Sequence, residues 1–96
     1  MIKNTVLEII KNHKSDLTKY HVQSMFLFGS VARDEETIDS DIDILVNFSS
    51  PATFDLYMDL KFFLEDLLNR KVDLVTESSL GPVLRKYVNQ DLIRAA

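Results

Sequence analysis

Ninety-six residues with a formal net charge of −4, 46% hydrophobic and 27% charged, make up one ordinary domain spanning residues 1–96. Two glycines and two prolines exclude a collagen-like or linker-rich chain, and the lack of cysteine excludes a disulfide scaffold and a zinc–thiolate centre. No Lys/Arg cluster offsets the acid, no apolar run approaches the ~18 residues of a membrane span, and no signal-type segment opens the chain. The expectation is a cytoplasmic protein with no direct nucleic-acid partner and no membrane contact.

Residues 5–20 read as a first helix, with Val6, Ile9, Ile10, Leu17 and Tyr20 on one stripe. Asn4 or Thr5 is its expected N-cap, and Glu8 follows Thr5 at capping-box spacing. His13 reads as a partly buried helix histidine, since no second ligand type stands four residues away. The apolar run Ser24 to Phe28 reads as a buried strand that stops at Gly29. A short helix over 31–36 and a turn at Thr37, Asp39 and Ser40 follow. Asp41 to Phe48 is β-branched and short, which predicts a second strand.

Residues 53–69 read as the longest helix. Between Phe54 and Leu68, ten of fifteen residues are apolar, more than the single face a surface helix needs. Either the helix packs against both a sheet and another helix, or it keeps a face for a second chain. Lys71 to Thr76 predicts a third strand. Ser79 is the expected cap of a last helix with Pro82 just inside it and Leu80, Val83, Leu84, Tyr87, Val88 and Leu92 as its stripe. Strands alternating with helices predict an α/β (α+β) fold, a single sheet covered by helices.

Three positions carry chemistry. Gly29-Ser30 stands between a strand and a helix, where a glycine allows a sharp turn and close ligand approach. A plain strand-to-helix turn is the alternative. Asp41 and Asp43 are two apart on a strand, so they share a face, spaced by ~6.6 Å along it. Two such carboxylates repel unless a cation joins them, and Mg²⁺ shared with substrate phosphates is the usual answer. Asp73 interrupts an apolar strand and can join the same face if the strands are neighbours. Solvated acids on an exposed face are the alternative for all three. A calcium loop fails, because Ile44 and Ser50 stand where Gly and Glu are needed. P-loop, dinucleotide and nucleophile-elbow motifs are absent.

Taken together, FLFGSVARDEETIDSDIDILV and the later KVDLV resemble the signature of the nucleotidyltransferase superfamily. The size and the GSVAR…SDIDILV stretch resemble its minimal nucleotidyltransferase group, antitoxins paired with HEPN-domain toxins. The resemblance implies the nucleotidyltransferase fold, a small mixed three-stranded sheet flanked by about four helices. It implies that Gly29, Ser30 and Arg33 bind the nucleotide, and that Asp41, Asp43 and Asp73 form the catalytic, Mg²⁺-binding acid set. The implied reaction moves AMP from ATP to a hydroxyl, a tyrosine of the HEPN toxin, and neutralises the toxin. One departure is visible: Asp34 stands where the group usually has Gly, adding negative charge but retaining a residue able to adopt left-handed turns. Two other functions compete: a non-catalytic antitoxin that masks the toxin through the Phe54–Leu68 helix, and a subunit acting on a small molecule.

Overall fold

A computed structural model describes residues 2–96. The chain forms α1 (Lys3–Asn12), α2 (Lys14–Lys19), β1 (Val22–Phe28), α3 (Gly29–Ala32), β2 (Ile42–Phe48), α4 (Phe54–Leu68), β3 (Val72–Thr76), a 3₁₀ turn (Glu77–Ser79), α5 (Pro82–Asn89) and β4 (Ile93–Arg94). The sheet has four strands in the order β3-β2-β1-β4, with β2 parallel to β3, and β1 antiparallel to both β2 and β4. The fold class is as the sequence implies, with one strand and one helix more. β4 leaves no signal in the sequence, because two residues are too short to show a period.

Strand alternation separates the two faces of the sheet. Met25, Leu27, Ile42, Ile44, Val46, Val72 and Leu74 are buried in the core with Val6 and Ile10 of α1, Leu17 of α2, and Leu60 and Leu64 of α4. The Tyr20 and Phe63 rings pack 5.1 Å apart. Of the apolar residues that crowd α4, only Phe54 and Phe62 stay exposed, so its excess is mostly taken up by the sheet and by α1. Thr53 caps α4 by accepting from the Leu56 N–H at 3.1 Å, and Asn69 ends it in the left-handed region. No helix among the described residues is long and apolar enough to cross a membrane.

Several local expectations need correcting. The expected single helix over 5–20 is two, joined at His13, whose Nδ1 lies 2.7 Å from the Ile9 carbonyl. Thr5 caps nothing, because the Val6 N–H already bonds the Ile2 carbonyl and the helix is running by Lys3. The short helix expected over 31–36 runs from Gly29 to Ala32. Gly81, not Ser79, precedes α5, while Ser79 Oγ donates to the Thr76 carbonyl in the 3₁₀ turn. Most of the stripe expected on α5 is not buried: Val88 is, whereas Val83, Leu84 and Tyr87 face solvent.

Leu64 is fully buried where α4 meets the sheet. Leu64→Ala is expected to cost about 2–5 kcal/mol, read as a lower urea midpoint at unchanged slope.

Candidate functional site

The site lies on the face of the sheet that the core does not use. Register places Phe28, Asp43 and Asp73 in one row across β1, β2 and β3. Asp43 is half-buried on the central strand; Asp73, near the start of the edge strand, is exposed. Gly29 follows Phe28 with φ +74°, and a Cβ there would fall 2.0 Å from Asp43 Oδ2. Both its backbone conformation and the space beside it therefore admit only glycine. The turn is closed by the Arg33 N–H on the Gly29 carbonyl (3.1 Å) and the Glu35 N–H on the Ser30 carbonyl (2.8 Å). Ser30 is half-buried within that turn.

The electrostatics follow from this crowding. Burial pushes the Asp43 carboxyl up from its ordinary 3.8 to about 6. The negative Asp73 beside it, within hydrogen-bonding reach, adds to the rise, and Asp41 adds less. Arg33 opposes weakly. Asp41 stands exposed just before β2. Among the described residues, no three acids converge closely enough to enclose a cation. The arrangement is a tight pair, Asp43 and Asp73, with Asp41 near enough for its charge to be felt. A half-buried carboxylate beside an exposed one, open to solvent on one side, suits a hard divalent cation that takes its remaining ligands from water and phosphate.

Arg33 does not stand free to meet phosphate. Its Nη1 donates to Asp91 at 2.8 Å and its Nε to Glu35 at 3.1 Å, and these carboxylates raise its pKa. Asp34 has φ 59°, the left-handed conformation for which glycine is the usual choice, and its carboxylate is paired with Lys3 at 3.1 Å. The departure from the family pattern is thus accommodated in backbone and in charge. Two contacts near the site had no sequence signal. Asp91 reaches Arg33 across 58 positions, and Arg70 Nη1 donates to the Ser40 carbonyl at 3.2 Å, holding the turn before Asp41. Pairing between residues so far apart in sequence leaves no local pattern. A cleft of about 650 Å³ lies at the far end of β2 between Phe48, Tyr57 and Thr76, away from Asp43 and Asp73.

Comparison with known proteins shows the family and the fold. The profile of the nucleotidyltransferase domain family matches residues 6–95. A Methanocaldococcus jannaschii protein, inferred to be a protein adenylyltransferase, is 43% identical over 92% of each chain. The protein adenylyltransferase MntA of Thermococcus cleftensis is 37% identical over 88% of this chain and 87% of its own. A solved structure assigned as a minimal nucleotidyltransferase aligns with TM-score 0.82 and 36% identity, covering 97% of this chain and 95% of that one. A chain from the complex of tri-AMPylated Shewanella oneidensis HEPN toxin with its MNT antitoxin aligns with TM-score 0.68 and 25% identity, covering 94% and 71%.

Two outcomes are expected of the site. Without metal, Asp43 holds its proton to about pH 6 in the fold but only to about 3.8 in the unfolded chain, so folding takes up a proton between those values. Its contribution is complete below the lower value and lost as pH rises through the upper. In EDTA, wild type should therefore lose about 1–3 kcal/mol relative to Asp43→Asn between pH 4 and 7, measured by urea unfolding at each pH. Gly29→Ala should destabilise the fold by more than about 1 kcal/mol and weaken binding of a non-hydrolysable ATP analogue, measured by calorimetry.

Proposed function

We propose an AMP-transferring antitoxin: the chain belongs to the nucleotidyltransferase domain family, and its best-supported reaction is transfer of AMP from ATP to a hydroxyl of a cognate HEPN-domain toxin. The observation that carries this is the contact of the Gly29 backbone with the Asp43 carboxyl, with Asp73 alongside. That contact sets a turn able to take phosphate against a carboxylate pair able to take a divalent cation. The adenylyltransferase names of its relatives, and the AMPylated HEPN toxin found with a similar antitoxin, support the same direction.

Asp43 and Asp73, with Asp41 at the mouth, would hold Mg²⁺. When bound, Mg²⁺ offsets negative charge on the reacting phosphates. Gly29 and Ser30 fix the turn that receives the triphosphate and let it approach the carboxylates without a side chain between. The acceptor oxygen, in our reading a tyrosine hydroxyl, attacks the α-phosphorus in line. A new P–O bond forms there as the bond to the β-phosphate oxygen breaks, and pyrophosphate departs. The hydroxyl proton passes to a carboxylate oxygen of Asp73, which is exposed toward the incoming group. Arg33 serves best as a strut between α3 and the segment after α5, since two carboxylates already engage it.

The test is intact-mass spectrometry of the cognate HEPN protein after incubation with this chain, ATP and Mg²⁺. Mass should rise in AMP units. Asp43→Asn or Asp73→Asn should cut the rate by roughly 100-fold or more. A stable complex without any gain in mass would replace catalysis with masking.

A further inference from the structure

We infer that the exposed apolar face of α5 is the surface on which the acceptor protein docks, delivering its hydroxyl to the Asp43–Asp73 pair; this rests on the AMP-transfer reading above. Val83, Leu84 and Tyr87 are 73%, 58% and 70% exposed and make up half of the large apolar side chains left exposed among the described residues. Their spacing gathers them on one side of the helix. A clustered apolar face on so small a domain marks an interaction site, whereas single exposed residues do not.

Two observations set this helix beside the chemistry. The first is topological. From β2 the chain crosses to β3 on one side, and from β3 it crosses to β4 at the other edge. β4 runs parallel to β2 and β3, because each pairs antiparallel with β1 or parallel with β2. Parallel crossovers are right-handed, so connections in opposite directions pass over opposite faces. α4 packs into the core, and α5 therefore passes on the side of the sheet that carries Asp43. Leu45, on that same face, is buried, as is Val88 of α5, and neither belongs to the main core cluster. The second is the ion pair of Asp91, just beyond α5, with Arg33, which ties this end of the helix to the turn that begins at Gly29.

These placements also decide the occupant. The core face is closed by α1, α2 and α4, so an acceptor protein has to approach from the side of α5. A second copy of this chain seated on α5 would lie across the same face, between the acids and any acceptor. Lys86 and Arg94 are exposed and in no ion pair among the described residues, and Arg94 pairs in register with Phe26, opposite Leu45. The fitting partner patch is therefore apolar and flanked by carboxylates.

The experiment compares wild type with Leu84→Asp, Tyr87→Asp and the milder Leu84→Ser, and with Phe62→Asp on α4 as control. Each is checked for folding by circular dichroism and for binding of AMP-PNP with Mg²⁺, which needs no partner. With the cognate HEPN protein as acceptor, α5 variants should raise KM for that protein by roughly 10- to 100-fold while kcat and AMP-PNP binding hold. Amides of 83–90 in wild type should gain hydrogen-exchange protection when HEPN protein is added. Unchanged KM in the α5 variants, or no added protection, overturns the inference. So does a wild-type dimer that Tyr87→Asp dissolves without changing AMP transfer. Failure of wild type itself to modify the HEPN protein would instead overturn the proposed function.

Discussion

The constraint on which the structure turns is the approach of a backbone to a carboxylate: Gly29 lies so close to Asp43 that no Cβ could stand between them. A strand can bring an acid this near its neighbour only if that neighbour's chain turns away at once, and the left-handed conformation at Gly29 makes the turn. The register of β1 against β2 then matters to a single residue. A slip of one position would send Asp43 to the core side and Ile44 to the opposite face. Met25, Leu27, Ile42, Ile44 and Val46, buried together on the other face, hold that register. The apolar core therefore acts on function by fixing where one polar pair must point.

That pair is costly. Asp43 is kept half-buried beside Asp73, and burial and repulsion hold its proton to about pH 6. At neutral pH, without a cation, the fold carries a charge it would shed if it could. Structures retain such frustration where chemistry uses it, and a divalent cation bound here, as the proposed function has it, would relieve it. The nearby acid without a role in binding is neutralised separately: Asp34, in a conformation suited to glycine, has Lys3 against it at 3.1 Å. Its charge is thereby kept from adding to the load on Asp43.

Much of this was legible in the sequence because it is local. The apolar run that stops at Gly29, the paired aspartates at spacing two and the acid inside KVDLV each obey rules of a few residues. The match of Asp43 with Asp73 followed once β2 and β3 proved to be parallel neighbours. What escaped was either too short or too far apart. β4 spans two residues. The Arg33–Asp91 and Arg70–Ser40 contacts join segments whose proximity is set by the finished fold. The helix stripes erred in opposite senses. Most of the α4 excess proved buried or half-buried, because α4 packs against the sheet and α1. The α5 stripe proved mostly exposed, because by then the core is full and only Val88 finds cover. Periodicity tells that a helix has an apolar side, but not whether its own chain supplies the partner.

Size explains why the second case arises. A domain of 96 residues has one sheet and enough helix to cover one face of it well. Right-handed crossover assigns α4 to that face and leaves α5 to cross the other. The division separates stability from chemistry: the α4 side is packed tightly, while in the proposed reaction the α5 side stays open for a nucleotide and an acceptor. On the open face, recognition of an acceptor then falls to the helix surface that the sheet leaves uncovered. In the proposed reaction, the exposed apolar side of α5, on the same side of the sheet as Asp43 and Asp73, is what such a fold offers toward an acceptor.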